Sequence, residues 1–169
     1  MERIPSNSWS LHTDHTRRYA YAGKQVRADE EVNDIACGAG YGAMYLTHAM
    51  YRGYDKPGVP DFSQFPGEFY EADLDDPAWE PCPADVTICF ETLEHVLDPR
   101  HLAAVITKTT RRAVILSVPL YPHQENPFHR TTFTVEEVPP MFPGFHVEED
   151  WFQPEARGHV WTLTREVPA

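Results

Sequence analysis

Apolar residues along the chain fall into short runs bounded by Gly, Pro, Asn and Asp, with no long uninterrupted hydrophobic stretch. Four runs, Val32–Ala36, Phe69–Ala72, Val86–Phe90 and Ala113–Val118, have the length and the β-branched or aromatic content of buried strands. A fifth strand is expected around Tyr51–Tyr54, by position more than by composition. Tyr41–Met50 follows the first strand directly and is expected to be helical. Asp98–Thr109 opens on Asp-Pro, a helix start, and sets Leu102, Val105 and Ile106 on one face. An amphipathic segment at Asp14–Val26 precedes these elements, and His146–Gln153 with His159–Glu166 suggests an antiparallel hairpin. Pro- and Gly-rich stretches at 57–67 and 139–144 are expected to be loops. Alternation of strand and helix with a terminal hairpin predicts an α/β fold: a mostly parallel sheet, helices on both faces, and an antiparallel C-terminal edge. One domain is expected over residues 1–169, with an N-terminal helical segment at 1–27 and the core at 28–169.

Composition narrows this picture without changing it. A chain of 169 residues can bury one sizeable core. With 14 Lys and Arg against 26 Asp and Glu, the formal charge of −12 opposes broad phosphate binding, so nucleic acid is not the expected partner. A neutral or cationic small molecule is easier to accommodate. Cys37, Cys82 and Cys89 are odd in number and lack C-x-x-C spacing, which argues against a disulfide framework and for a reducing cytoplasm. No run approaches the roughly 18 apolar residues of a membrane span, and the first residues lack a signal-peptide pattern. Oligomeric state is not legible.

The sharpest chemical signal is Val32-Asn-Asp-Ile-Ala-Cys-Gly-Ala-Gly-Tyr-Gly42. A strand ends near Asp34, and glycines at alternate positions lead onward. Gly38 and Gly40 permit a tight turn and let a ligand approach the backbone without meeting a Cβ. Asp34 adds an acceptor near the strand's carboxyl end, where open α/β sheets bind ligands. No P-loop is present, and G-x-G-x-G departs from the dinucleotide spacing G-x-G-x-x-G, which disfavours an NAD-dependent oxidoreductase. Asp55 follows Asp34 by about twenty residues, the spacing at which a carboxylate accepts ribose hydroxyls.

DIACGAGYG resembles the first motif of class I S-adenosylmethionine (AdoMet)-dependent methyltransferases, with Ala36 standing where the first glycine is usual. RRYAYAGKQV resembles a helix preceding that motif in one subgroup, which implies Arg18 and Tyr19 as contacts to the methionine carboxylate. Glu71-Ala-Asp-Leu-Asp75 resembles the third motif and implies Asp73 at the adenine amino group, with Leu74 packing on the ring. Phe90 joins the expected cofactor residues. The Pro-rich connection after Asp55 implies a compact variant with a reduced middle helix, leaving cofactor edge exposed or room for a partner.

Phe90-Glu-Thr-Leu-Glu-His95 resembles the E-x-x-E-H signature of ubiquinone-biosynthesis O-methyltransferases and small-RNA 2′-O-methyltransferases. That resemblance implies Glu91, Glu94 and His95 as catalytic residues and as ligands of Mg²⁺ or another divalent ion, with His129, in preference to His123, as a fourth ligand. Two carboxylates and an imidazole suit such an ion. His95 is equally suited to act as a metal-free base on a substrate hydroxyl. The other histidines (12, 15, 48, 101, 146 and 159) are expected at the surface or in packing. Phe128, Phe133, Met141 and Phe142 form either core or a substrate lid. The expected activity is O-methylation of a small polar molecule. RNA 2′-O-methylation and a non-catalytic AdoMet-binding module are the alternatives.

Overall fold

A computed structural model describes residues 12–57, 65–120 and 126–166. The chain runs α1 (Thr13–Gln25), β1 (Glu31–Ile35), a 3₁₀ turn (Tyr41–Tyr45), β2 (Met50–Asp55), β3 (Glu68–Glu71), β4 (Ala84–Phe90), α2 (Pro99–Thr109), β5 (Thr110–Pro119), a second 3₁₀ turn (Pro139–Met141), β6 (His146–Gln153) and β7 (Gly158–Thr164). All seven strands form one sheet in the order β3-β2-β1-β4-β5-β7-β6. Strands β1 to β5 pair in parallel, and the β6–β7 hairpin joins β5 antiparallel. The order reverses between β1 and β4, so the crevice beyond their carboxyl ends is the place such a sheet offers a ligand.

Side chains alternate between the two faces of each strand, and each face is covered. Ile35, Leu116, Trp161 and Leu163 pack with Leu102, Ala103 and Ile106 of α2. Val32, Val86, Ile88 and Ile115 pack with Tyr19 and Ala22 of α1 on the other side. Phe133, Met141 and Phe142 belong to the α2-side core, whereas Phe128 is exposed. Helix α2 begins where Asp-Pro predicts: the Asp98 side chain accepts hydrogen bonds from the backbone N–H groups of Arg100 and His101. Helix α1 is tied to the hairpin by polar contacts, with the Tyr21 hydroxyl 2.7 Å from Thr162 and donating to Glu149 at 2.9 Å.

The expected helix over Tyr41–Met50 does not form. Only Tyr41–Tyr45 turns, as a 3₁₀ helix, and Met50 already opens β2. Gly42 weakens an α-helix there, and the few residues after the glycine turn must also carry the chain back to the start of β2. A 3₁₀ helix rises more per residue than an α-helix and spans that distance with fewer residues. The expected loss of the middle helix falls mainly on residues 58–64, outside the described residues. The β3–β4 connection is built from turns, so among the described residues α2 is the α-helix that crosses between parallel strands. No helix of the described residues is long and apolar enough to cross a membrane.

Replacing Asp98 by Ala removes the acceptor from two backbone donors of α2. A loss of about 1 kcal/mol of stability is expected, with most of it recovered by Ser, as read from urea denaturation.

Candidate functional site

The turn after β1 is held in left-handed backbone conformations, with φ of 60° at Ala36, 61° at Gly38 and 83° at Gly40. A Cβ at Gly38 would meet nothing within 4 Å, so this glycine borders open space. Ala36 carries a side chain at an angle glycine adopts more freely, and Arg157, Asp29 and Glu91 are the other non-glycine residues of this kind among the described residues. Asp55, at the end of β2, is buried and accepts the Gly38 N–H at 2.7 Å through Oδ2 and the Lys56 N–H at 2.7 Å through Oδ1. The expected ribose carboxylate therefore lies directly against the glycine turn.

Asp34 is fully buried beneath that turn. The hydroxyls of Tyr19 and Tyr51 both donate to its Oδ2, at 2.9 and 2.5 Å, while Oδ1 has no hydrogen-bond partner among the described residues. Burial pushes the Asp34 carboxyl up to about 7, against the lowering effect of the two hydroxyls. Asp34 is thus a tether beneath the pocket, where the sequence suggested an acceptor near its mouth. Tyr19, expected to reach a carboxylate on the ligand, spends its hydroxyl on this tether. A Cβ at Gly42 would fall 2.4 Å from the Tyr19 ring and 2.8 Å from Asp34 Oδ2, which explains the third glycine of the motif.

Arg18 of α1 is 1% exposed and lies 5.9 Å over the Phe90 ring. Its Nη1 donates to Gln153 at 2.8 Å and sits 3.7 Å from Glu91 Oε1. Its Nε and Nη2 have no hydrogen-bond partner among the described residues. These two nitrogens share one edge of the guanidinium plane, the fork that meets a carboxylate through two parallel N–H···O bonds. A buried charged edge left unpaired is costly, and an anionic partner would offset that cost.

At the end of β4 the three residues of the E-x-x-E-H signature divide. Glu91 adopts φ 49°, its backbone N–H donates to the Ser117 carbonyl at 3.0 Å, and the Ser117 hydroxyl donates to its Oε1 at 2.7 Å. Glu94 is 1% exposed, and neither carboxylate oxygen has a hydrogen-bond partner among the described residues. Burial, with the nearby Glu91 charge, raises its carboxyl well above the usual range. His95 Nδ1 lies 3.0 Å from the Phe128 carbonyl, so this nitrogen carries the proton and Nε2 presents a lone pair. Burial lowers the His95 pKa, favouring the neutral ring. Glu94 accepts the Arg130 N–H at 2.7 Å through its own carbonyl, drawing the 126–131 segment in.

That segment brings the His129 ring 4.9 Å from that of His95, and Glu94, His95 and His129 offer ligand atoms all within 4.8 Å of one another. This donor set, with an orphaned carboxylate, fits a divalent cation. Glu91, expected in the same set, stands outside this group and is engaged by Ser117 and Arg18. His123 lies outside the described residues.

Asp73 and Leu74 follow β3 on a turn; Leu74 is buried, while Asp73 is exposed with Lys56 Nζ at 3.6 Å. Lys56 lies equally far from Asp75, whose Oδ1 accepts the Leu97 N–H at 2.8 Å. Four contributors were not picked out by sequence reasoning: Tyr51, Ser117, Gln153 and His15. His15 Nδ1 lies 3.1 Å from the Tyr41 hydroxyl, and burial lowers its pKa to about 4. Each is an ordinary residue in a strand or helix with no motif around it, so only the sheet order could have brought it forward.

No family model matches the chain, and no curated protein matches it by sequence. Solved structures share its fold. Magnesium protoporphyrin IX methyltransferase (ChlM) from Synechocystis PCC 6803 with bound SAH aligns over 98% of this chain and 90% of its own, with a TM-score of 0.76 and 14% identity. The protein solved in complex with the Haloferax volcanii Trm112 methyltransferase activator aligns over 94% and 92%, with a TM-score of 0.75 and 15% identity. YcgJ from Bacillus subtilis aligns over 90% and 100%, with a TM-score of 0.67 and 14% identity. The shared architecture is the Rossmann-like fold of methyltransferases.

Because the Asp34 pKa is raised on folding, the folded state holds a proton that the unfolded chain has released between the ordinary carboxylate range and about pH 7. Its stabilising contribution is complete at low pH and is lost as pH rises through about 7. Asp34→Asn keeps an acceptor for both hydroxyls and cannot ionise. Its melting temperature, relative to wild type, is expected to rise from pH 5 and to level off above about pH 7; a constant difference across the range pH 5 to 8 would contradict the assignment.

Proposed function

We propose that the protein is an AdoMet-dependent methyltransferase that methylates an oxygen of a small polar molecule. The observation that carries this reading is the unpaired Nε–Nη2 edge of buried Arg18 beside the carboxyl end of β4, with the glycine turn and Asp55 at the ends of the neighbouring strands β1 and β2. One ligand with an α-carboxylate at one end and a ribose at the other would answer both. Bound there, AdoMet supplies a methyl group already activated by its sulfonium. The chain's own task is to hold donor and acceptor in line, which accounts for a large share of barrier reduction in such displacements.

In this reading Arg18 holds the methionine carboxylate, Ala36, Gly38 and Gly40 let the ligand approach the backbone, and Asp55 accepts the ribose hydroxyls. Asp73 and Leu74 border the adenine, and Phe90 supplies an apolar wall. Tyr19 and Asp34 support the pocket from below. His95, neutral and with Nε2 unprotonated, takes the proton from the acceptor hydroxyl as the methyl group transfers. Glu91 acts on Arg18 and the β5 end, while Glu94 faces the His95 side. As the alternative to His95 acting as base, Glu94, His95 through Nε2 and His129 would hold a divalent metal, whose chemistry there would be to lower the cost of deprotonating that hydroxyl. The acidic charge supports a neutral or cationic acceptor over RNA.

Thermal melting with S-adenosylhomocysteine tests the cofactor. At about a hundredfold excess over Kd, a ligand that binds only the native state adds about 2.7 kcal/mol, or roughly 5–10 °C for a domain of this size. NAD is expected to give no shift, and Arg18→Met is expected to abolish the shift from S-adenosylhomocysteine. A rise in wild-type melting temperature with Mg²⁺ or Mn²⁺ that disappears in Glu94→Ala supports the metal; no rise in either protein removes it.

With labelled AdoMet and a panel of hydroxylated acceptors, His95→Gln is expected to lower kcat/KM by about 10²–10⁴-fold. It is also expected to erase an acid limb lying below the ordinary histidine range. Binding without turnover on small molecules or RNA would favour a non-catalytic module.

A further inference from the structure

Gln153 closes β6 and is fully buried, yet it belongs to no motif and lies far in sequence from the glycine turn. Its side-chain amide grips α1 at two points one helical turn apart. The carbonyl oxygen accepts from Arg18 Nη1 at 2.8 Å, and the amide nitrogen donates to the Asp14 carbonyl at 2.8 Å. Only a primary amide of this length satisfies both: a carboxylate lacks the donor, and an apolar side chain lacks both groups.

The consequence for Arg18 is geometric. Nη1 is committed to Gln153, with Glu91 Oε1 behind it at 3.7 Å, so rotation of the guanidinium is blocked. The edge left over is Nε–Nη2, the one suited to a bidentate carboxylate. Were Nη1 free, the same buried guanidinium could turn toward Glu91 and close a two-point pair with it, and the fork would be lost to an internal partner.

We propose that Gln153 is a positioning residue that aims the Nε–Nη2 edge of Arg18 at the carboxylate of the donor's amino-acid end, coupling the C-terminal hairpin to cofactor affinity. This assignment rests on the cofactor reading above. It differs from a purely structural staple in one respect: a staple affects every ligand of the cleft alike, whereas an aiming device affects only ligands that carry the carboxylate.

The test compares S-adenosylhomocysteine with 5′-methylthioadenosine, which keeps the adenine and ribose but lacks the amino-acid end, by titration calorimetry. Gln153→Met, similar in length and without either polar group, is expected to weaken S-adenosylhomocysteine 10- to 100-fold and to leave methylthioadenosine within twofold. In an Arg18→Met background, Gln153→Met is expected to add no further loss, because the two residues act as one unit.

Equal weakening of both ligands, or a loss that persists without Arg18, would overturn the assignment and leave Gln153 a staple. If wild type binds methylthioadenosine as tightly as S-adenosylhomocysteine, the role of Arg18 falls while the nucleoside site stands. If it binds neither, the cofactor reading itself falls and this assignment with it. Should Gln153→Met fail to fold, Gln153→Glu carries the same comparison. Selective loss of S-adenosylhomocysteine is again expected, because the added charge opposes its carboxylate.

Discussion

Beneath the glycine turn, a carboxylate shut away from water binds three elements into one wall. Asp34 receives hydroxyl hydrogen bonds from Tyr19 on α1 and Tyr51 on β2, and Gly42 must lack a side chain for that pair to close. Hydrogen bonds of this kind offset the cost of burying the carboxyl group, which otherwise would be several kcal/mol. Once they are made, α1 has one docking position against the sheet. Arg18, one residue before Tyr19, is then carried to the carboxyl end of β4. The location of a buried guanidinium at the carboxyl end of β4 therefore traces to a buried acid.

The same site shows two carboxylates put to different uses by their surroundings. Glu91 has Ser117 and Arg18 as neighbours. The Glu94 carboxylate has no hydrogen-bond partner among the described residues and lies beside two imidazoles, so its burial favours the protonated form until a cation or another partner is supplied.

Much of the scaffold is legible in the chain. Strand positions, the Asp98 cap and the hairpin of His146–Gln153 with Gly158–Thr164 follow from short apolar runs and turn residues, which are local signals. The glycine turn, Asp55, and the grouping of Glu94, His95 and His129 were also accessible, because each lies within or near a recognisable pattern. What escaped is non-local. A helix over Tyr41–Met50 was expected from its place directly after the first strand, but the distance back to the start of β2 decides its length. Tyr19 was assigned to a ligand because nothing in its own segment reveals that Asp34 lies within reach of its hydroxyl. Gln153 carried no signal at all, since its two partners are far away in sequence and meet it only through the antiparallel return of the last two strands.

The most direct measurement is a crystal structure of the protein with S-adenosylhomocysteine. The expected result places the ligand's carboxylate on Nε and Nη2 of Arg18 and its ribose hydroxyls on Asp55, with Gly38 facing the ligand. A carboxylate pointing into solvent while the Arg18 edge stays bare, or a ligand outside the crevice between β1 and β4, would contradict the account.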